Sequence, residues 1–482
     1  MKGYRILRLS ALLALLALLA LAPSAHAGGS SIALGAAEDT VRSPSLVESE
    51  ATMGLLRLGG FRAVRITSVW EPGMREPPES EAAVLANVSA AAALHGVRVF
   101  VSVYHFGSRT TPLTPEARAD FASYTAAIVT ANPSFRDVIV GNEPNLNRFW
   151  LPQFNVDGTG ASPPAYLSLL AATYDAVKTA APEARIWGGA LAPRGVDRPG
   201  TGRDTISPTR FLRELGAAYR ASGRFEPVMD GFAIHPYAEN SSVPVDRPPA
   251  DRDHLGLVDQ DRLVRLLGQA FNGTAQVGSG MPILYDEYGI ESVVNPEKAA
   301  LYSGTEPATT RPVAEPAQAA AYAQALRMAY CQSNVAGILL FHSADEPALA
   351  GWQSGLLYPD GTPKSSLGVV RDTLDAIVNG TIRQCPLEPK PTVAFATGLR
   401  KISLRCARHC VYRARLLRLP TGSITAWRNG RAGPGQRVSF RLAPRVSPAR
   451  YRLSVSFVHA TRPGKAVVRS SRPFAVRSPS RR

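Results

Sequence analysis

The sequence predicts two parts: a large α/β body made of eight strand–helix repeats, and a small all-β domain that follows it. Three observations support this division. Between residues 30 and 379, eight short apolar runs alternate with eight amphipathic, alanine-rich segments. The connections from helix to strand are short, whereas those from strand to helix are long. Beyond residue 379 the apolar residues recur with a period of two, which is typical of antiparallel strands.

Eight alternating strands and helices predict a parallel sheet that closes on itself, the (β/α)8 or TIM barrel. Strands are predicted at 31–35, 62–68, 97–104, 137–142, 185–190, 230–235, 282–287 and 336–342. Helices are predicted near 45–58, 79–95, 114–131, 163–181, 206–222, 259–271, 315–331 and 365–379. Thr114-Pro115 and Ser162-Pro163 each place a capping residue before a proline, as at a helix start. The alternative is an open, doubly wound sheet, but no Gly-x-Gly-x-x-Gly follows the first strand.

The long loops run from strands to helices and therefore lie at the carboxyl ends of the strands. They are predicted at 143–162, 191–205, 236–258, 288–314 and 343–364. In a barrel of this kind the loops on that side build the functional face. Residues that end a strand or begin one of these loops are therefore the first candidates for a site.

The first 27 residues have the pattern of a secretory signal peptide. Lys2, Arg5 and Arg8 form a basic segment ahead of an apolar run. The run extends from Ala11 to Leu21, and Ala25-His26-Ala27 then fits the small-x-small cleavage rule. The alternative, an uncleaved membrane anchor, requires a longer apolar run, and no later stretch is apolar enough to cross a membrane. We expect the mature protein to be secreted and extracellular or held at the cell surface.

Charge separates the two parts of the chain. The net charge is +16, but residues 388–482 contain 22 Lys and Arg against one acid, which leaves residues 1–387 with a net charge of −5. We place the barrel domain at 28–384 and a basic, β-sandwich-like domain at 385–482, joined by a proline-rich linker. In this second domain we predict that arginines occupy alternate, outward-facing positions of the strands. We also predict a tight hairpin turn at Asn429-Gly430. The basic face is either merely solvated or attached to an anionic cell-surface polymer or acidic polysaccharide. Nucleic acid is not expected for an exported domain with few aromatic residues.

Four cysteines are present, and an exported chain forms disulfides by default. They are Cys331, Cys385, Cys406 and Cys410, and sequence alone cannot choose among the three possible pairings. We favour Cys331–Cys385 and Cys406–Cys410, because each pair stays inside one predicted domain. Zinc is the alternative, but the four residues lack the two-plus-two spacing of a zinc site.

Two glutamates follow buried strands of the predicted barrel. Glu143 comes directly after Val138-Ile139-Val140 in the motif Gly-Asn-Glu-Pro, and Glu287 closes the apolar run that begins at Pro282. By count they end strands four and seven, and would face each other across the barrel mouth. Hydrolysis of a glycosidic bond with retention needs two carboxyl groups roughly 5 Å apart, one as acid and one as nucleophile. The pair therefore predicts a glycoside hydrolase.

Other side chains near strand ends are candidates to complete the site. Arg65 and Tyr237 are expected to hydrogen-bond Glu287 and hold it ionised, and Asn142 to bind a sugar 2-hydroxyl. His105 and His235 end strands three and six, where each is either a structural polar residue or part of the site. The aromatic candidates for stacking on sugar rings, each of which could instead pack within a loop, are Trp70, Tyr104, Phe149, Trp150 and Trp352.

Asn142-Glu143-Pro144 after strand four and Glu287 after strand seven resemble the clan A glycoside hydrolases. Arg65, His105 and the His235-x-Tyr237 pair make the chain most similar to family 5, the cellulase family. The resemblance covers roughly residues 30–380. It implies a TIM barrel in which Glu143 is the acid/base and Glu287 the nucleophile of a retaining double displacement, with no cofactor and no metal. Family 5 usually has a sugar-stacking tryptophan after strand eight, where this chain has Phe341-His342. This difference keeps family 39 and other relatives in the clan open as well.

Two other functions fit parts of the same pattern. A metal-dependent, sugar-converting barrel would use Glu143, Glu287, His235 and His342 as ligands, but the sequence has no His-x-His and no acid after strands three and five. A non-catalytic, glycan-binding barrel protein of the cell surface would be marked by loss of a glutamate, and both are present. The sugar, the linkage and endo or exo action are left open. We expect a monomer that acts on a poly- or oligosaccharide.

Overall fold

The computed structural model describes residues 29–382, 393–397, 401–406, 410–432, 437–442, 446–459 and 462–476. Eight parallel strands form a closed barrel in sequence order, and β8 pairs with β1 to complete it. The strands are β1 (Ala33–Ala37), β2 (Ala63–Trp70), β3 (Arg98–His105), β4 (Asp137–Val140), β5 (Arg185–Leu191), β6 (Gly231–Ile234), β7 (Ile283–Tyr288) and β8 (Val335–Phe341). The predicted TIM barrel is confirmed.

Eight α-helices alternate with these strands in the described part of the chain. They are α1 (Leu46–Leu58), α2 (Glu79–His95), α3 (Pro115–Ala131), α4 (Ser162–Ala180), α5 (Pro208–Ala221), α6 (Gln260–Phe271), α7 (Glu315–Cys331) and α8 (Ser366–Val378). Every barrel strand and helix lies within two residues of its predicted bounds. The agreement follows from local signals, since Ser45, Thr114 and Ser207 cap helices through their side chains.

Two hydrophobic layers hold the barrel together. Side chains such as Phe100, Trp187 and Leu284 fill its interior, and a larger set packs between the strands and the surrounding helices. At the amino ends of the strands the fully buried Asp137 accepts hydrogen bonds from Arg98 at 2.7 Å and from Trp187 Nε1 at 3.0 Å. Packing and this polar cluster close that end of the barrel, so the site lies at the opposite end.

The carboxyl-terminal part is a small antiparallel β structure, as predicted. Its strands are β9 (Val393–Thr397), β10 (Lys401–Cys406), β11 (Cys410–Arg418), β12 (Ile424–Ala432), β13 (Arg437–Arg441), β14 (Ala449–His459), β15 (Arg462–Ser470) and β16 (Phe474–Val476). One sheet has the order β13-β10-β9 and the other β12-β11-β14-β15, with β16 paired to β14. Leu404 of the first sheet and Tyr412 of the second belong to one core, which makes the arrangement sandwich-like.

The predicted hairpin turn at Asn429-Gly430 is wrong. These two residues lie inside β12 and pair with Arg413 and Tyr412 of β11. Gly430 is needed because the Tyr412 ring covers it: a Cβ there would come within 2.5 Å of the phenol oxygen. The chain turns instead between β11 and β12, where Gly422 adopts a φ of +69°.

Several predictions concern residues outside the described ranges. The signal peptide and Cys385 lie there, so the cleavage site and the Cys331–Cys385 pairing stay predictions, as does Cys406–Cys410. Cys331 itself, at the end of α7, is disulfide-bonded. Across the part of the chain that is described, no helix combines the length and the apolar character needed to span a membrane.

Candidate active site

Glu143 is positioned by a constrained turn after β4. Gly141 has a φ of +83°, and a Cβ there would lie 3.1 Å from the Tyr166 ring. The Tyr166 hydroxyl donates to the carbonyl of Val140 at 2.7 Å. Glu143 has a φ of +41°, and its N–H donates to the carbonyl of Ala190 at 2.8 Å. The backbone around the carboxylate is therefore held by neighbouring elements and not by the loop alone.

Glu287 owes its position to an irregularity in β7. Tyr285 pairs with Ile338 and Tyr288 with Leu340, so three steps along β7 match two along β8. Such a bulge re-aims the side chains within it. In a regular strand Asp286 and Glu287 would face opposite sides of the sheet, yet here both contact Arg65 on the barrel interior. The bulge thus brings two consecutive carboxylates into one site.

His235 joins the carboxylates. This histidine, just beyond β6, is fully buried, and its Nδ1 lies 3.0 Å from Glu143 Oε1 and 3.4 Å from Glu287 Oε2. Its other nitrogen, Nε2, lies 3.2 Å from Oδ2 of Asp286. A protonated imidazole donates from both nitrogens, so His235 can bind carboxylates on both sides at once.

Arg65 and Tyr237 hold Glu287 as the sequence analysis predicted. Arg65 Nη1 lies 2.8 Å from Glu287 Oε1, and the Tyr237 hydroxyl donates to Oε2 at 3.0 Å. Arg65 Nη2 also donates to Oδ1 of Asn142 at 3.0 Å, which orients the amide beside Glu143. Of the predicted site residues, Arg65, Asn142, Glu143, His235, Tyr237 and Glu287 therefore form one connected group.

The charges of this group support one another. Burial alone would lower the pKa of His235, but Glu287 and Asp286 raise it well above the ordinary value. Burial alone would raise the pKa of Asp286, but His235 and Arg65 bring it below the ordinary value. Burial and the adjacent Glu287 raise the pKa of Tyr237 well above its ordinary value, so the phenol keeps its proton and serves as a donor.

A cleft of about 1030 Å³ opens beside these residues at the carboxyl ends of the strands. The aromatic side chains in its lining are Tyr104, Phe149, Tyr237, Tyr288, Phe341 and Trp352. Trp352 comes from the loop after β8, and its ring packs 5.0 Å from Tyr237 and 5.3 Å from Phe341, measured between centroids. Trp352 and Phe341, which ends β8, thus form one aromatic wall of the cleft.

Besides the fully buried His235, three predicted substrate-binding residues do not line this cleft, contrary to the prediction. Trp70 has no exposed surface and packs edge-on against Phe121 of α3. His105 is buried, its Nδ1 bonded to the carbonyl of Gly107, and burial lowers its pKa to about 4 despite that bond. Trp150 is 1% exposed and packs edge-on against the His105 ring. All three are structural residues between the barrel and its helices.

The alternation along the strands explains two of these misplacements. Arg65 and Phe100 face the barrel interior. Trp70 and His105 are each five positions further on, an odd number, and so point to the outer side. Tyr104, four positions after Phe100, points inward and lines the cleft. Because the side chains of a strand alternate, counting positions along β2 and β3 could have excluded Trp70 and His105 as cleft residues without a structure.

Asp286, Glu291 and Phe341 belong to the site or its cleft although no motif singled them out. Phe341 could have been found as the last residue of a strand, and Glu291 as an acid in a long loop. Burial raises the pKa of Glu291 to about 7; the Gln353 N–H opposes this rise and nearby Glu306 adds to it. The bulge that turns Asp286 inward has no signature in the sequence.

The described residues do not meet the usual requirements of a metal site. No group of three or more His, Cys, Asp and Glu side chains there is disposed to hold a metal ion. Both nitrogens of His235 face carboxylates, and Nδ1 of His342 lies 2.6 Å from the carbonyl oxygen of Ala37. These nitrogens are already engaged in hydrogen bonds within the protein.

Comparison with known proteins places the fold in a familiar class. No family model and no curated protein sequence matches the chain. A family 39 glycoside hydrolase from Bacteroides cellulosilyticus WH2 has a TM-score of 0.50 and 15% identity, and the match covers 86% of this chain and 82% of that one. An endo-β-1,4-mannanase from Thermotoga petrophila has a TM-score of 0.46 and 12% identity, with 94% and 99% covered. A β-xylosidase from Caulobacter crescentus CB15 has a TM-score of 0.46 and 14% identity, with 86% and 95% covered. The likeness to the family 39 enzyme establishes that the two chains share the barrel fold.

Proposed function

We propose that this protein is a retaining glycoside hydrolase of clan A that cleaves β-linked O-glycosidic bonds of a glycan. The observation that carries the proposal is that both glutamates lie close to the same nitrogen atom of His235. Glu143 and Glu287 approach one atom, Nδ1 of His235, at 3.0 and 3.4 Å, and both line the cleft. The sequence resemblance leaves open family 5, family 39 and other families of the clan.

The separation of the carboxylates supports retention. Their two distances to Nδ1 of His235 limit the separation of these oxygens to about 6.4 Å at most. Retaining enzymes have carboxyl groups roughly 5–5.5 Å apart, whereas inverting enzymes need roughly 6.5–9.5 Å to admit a water molecule between them. The limit on the nearest oxygens admits the separation found in retaining enzymes, and we propose direct attack by a carboxylate.

The proposed reaction has two displacements. Glu287 attacks the anomeric carbon while Glu143 gives its proton to the glycosidic oxygen, so that the carbon–oxygen bond breaks and a glycosyl ester forms on Glu287. Water then gives a proton to Glu143, and its oxygen attacks the anomeric carbon and releases Glu287. Arg65 and Tyr237 fix the nucleophile by two hydrogen bonds at 2.8 and 3.0 Å.

Turnover of aryl β-glucosides, β-mannosides and β-xylosides, and of the matching polymers, tests the proposal. Glu143→Gln and Glu287→Gln should each lower kcat by at least about a thousandfold, and the first sugar released by the wild type should keep its β configuration in proton NMR. Glu297→Gln is the matched control, because Glu297 is an exposed glutamate that does not line the cleft. Activity that survives Glu287→Gln would overturn the mechanism. Binding of a polymer without any turnover would favour the glycan-binding alternative.

We also propose that the protein is exported and that its basic domain holds it on an anionic polymer. The support is the signal-like start of the sequence and the exposed arginines of two paired strands, Arg413 and Arg415 of β11 and Arg450 and Arg452 of β14. The mature protein should co-sediment with an insoluble anionic polysaccharide and be released by salt. Replacing these four arginines by glutamine should abolish co-sedimentation. Unchanged co-sedimentation would refute this role for the domain.

A further inference from the structure

Three arginines line the cleft on the same side as Glu143. Arg148 lies in the loop after β4, which also contains Glu143, and Arg194 and Arg203 lie in the loop after β5. All three side chains are exposed. Arg148 lies over the ring of Phe149, with its guanidinium carbon 5.4 Å from the ring centroid. Basic and aromatic surface are therefore combined next to the proposed acid/base.

The two loops that present these arginines form one hydrogen-bonded unit. The fully buried Asn145 is its centre: its amide donates to the carbonyls of Ala192, Arg194 and Ile206, and its oxygen accepts from the N–H of Ala192. Leu146 forms a β-bridge with Thr205, and the Asn147 amide donates to the carbonyl of Gly202. The backbones that bear the arginines are consequently fixed in place before any ligand binds.

None of the three arginine side chains forms an ion pair with a carboxylate of the described residues. Glu239, which lines the same cleft, accepts the N–H of Ala250 instead. The acids of the adjoining loop bind elsewhere: Asp197 accepts the N–H of Ser207, and Asp204 accepts those of Gly200 and Thr201. Three guanidinium groups thus line an open cleft with no ion-pair partner in the part of the chain that is described, and such groups are available to bind an external anion.

From this arrangement we infer that the substrate carries an anionic substituent, a carboxylate or a sulfate ester, on the sugar that Glu143 releases. The inference rests on the proposed function, in which Glu143 protonates the leaving oxygen and the leaving sugar lies beyond it. Arg148, Arg194 and Arg203 then bind the substituent, because a guanidinium group matches the planar oxygens of a carboxylate and the oxygens of a sulfate. Phe149 offers a flat apolar surface for the same sugar ring. Substrate selection on this side is electrostatic.

Two pairs of oligosaccharides test the inference in the mature full-length protein. One pair is a uronic-acid oligosaccharide and its carboxyl-reduced form, and the other is a sulfated oligosaccharide and its desulfated form. The pair with the larger acidic-to-neutral ratio of kcat/KM identifies the substituent. In the variant R148Q/R194Q/R203Q this ratio should fall about tenfold, and in the wild type it should fall as the ionic strength rises. R198Q is the matched control, since Arg198 is an exposed arginine of the same loop that does not line the cleft.

The outcomes separate this inference from the proposed function. Cleavage of neutral glycosides, with no preference for an acidic partner and no change of the ratio in R148Q/R194Q/R203Q, would overturn the anionic substituent while leaving the glycosidase intact. If no glycoside is cleaved, the proposed function fails, and calorimetric titration with the acidic oligosaccharides decides the inference. Binding that is present in the wild type and R198Q, and lost in R148Q/R194Q/R203Q, supports it; equal binding in all three refutes it.

Discussion

Asp286→Asn tests whether a buried carboxylate supports the proposed catalytic pair. Asp286 has no exposed surface, and its Oδ2 lies 3.2 Å from His235 Nε2 and 3.6 Å from Arg65 Nε. Asparagine keeps the shape of the side chain and one acceptor oxygen but removes the charge. Because Asp286 does not line the cleft, the substitution changes the surroundings of Glu143 and Glu287 without removing a residue that faces the substrate.

The magnitude follows from the two cations that Asp286 contacts. Unit charges 3.2 Å apart attract by about 5 kcal/mol at an effective dielectric constant of about 20. The loss of stability is smaller than this attraction for two reasons. His235 and Arg65 still contact the Glu287 carboxylate in the variant, and the cost of burying the charges offsets part of the attraction. We therefore expect the free energy of unfolding to fall by about 2–3 kcal/mol near pH 6.

The sign of the pH dependence follows from two pKa shifts in opposite directions. The pKa of His235 is raised in the folded state, so its stabilising effect is complete below pH 6.5 and is lost as the pH rises through the folded-state pKa. The pKa of Asp286 is lowered, so its effect is complete above pH 3.8 and is lost as the pH falls through the folded-state pKa. The difference between wild type and variant should be greatest between these limits and shrink on either side.

Urea unfolding over a range of pH measures this difference. Asp175→Asn is the control, since the Asp175 side chain is 57% exposed in its ion pair with Arg224, and ion pairs at the surface typically contribute about 1 kcal/mol or less. The alkaline limb of the kcat/KM profile should also move to lower pH in Asp286→Asn, because His235 then loses its proton more readily. A destabilisation no larger than that of Asp175→Asn, or one that does not vary with pH, would show that Asp286 does not act through His235.

Three further substitutions test other parts of the site. Gly141→Ala places a Cβ at a φ of +83° and 3.1 Å from the Tyr166 ring, so calorimetric melting should show a loss of about 1–2 kcal/mol, and an unchanged melting temperature would contradict the fixed turn. Trp352→Ala removes the ring that packs on Tyr237 and should raise KM about tenfold with a smaller change in kcat; a pure kcat effect would exclude a binding role. The raised pKa of Glu291 means that the folded state holds this proton between pH 4.5 and about 7, so stability should fall as the pH rises through that range. Glu291→Gln should remove about 1–2 kcal/mol of that fall in urea unfolding, and an identical slope in both proteins would refute the assignment.

The elements of the barrel could be predicted from the sequence because their signals are local. Apolar periodicity, capping residues such as Thr114 and Ser207, and the lengths of the loops each depend on a few neighbouring residues. The pairing of Glu143 with Glu287, and the support of Glu287 by Arg65 and Tyr237, could be predicted once the strands were counted. The carboxyl ends of the strands of a closed barrel converge at one mouth, so the order of the strands determines which residues meet there.

Tertiary structure decided what those local signals leave open. Asp286 joins the site only because the bulge in β7 turns it toward Arg65 and His235, and a bulge depends on the register with β8. Trp150 lies in a loop, where no periodicity assigns a face, and it is buried by contacts with residues distant in sequence. Asn429-Gly430 has the composition of a turn but lies inside a strand, because the Tyr412 ring covers the glycine. The sequence by itself determined the barrel and its two glutamates, since periodicity is a property of neighbours along the chain. The direction of a side chain at a bulge or in a loop depends on packing between separate segments, which exists only in the folded protein.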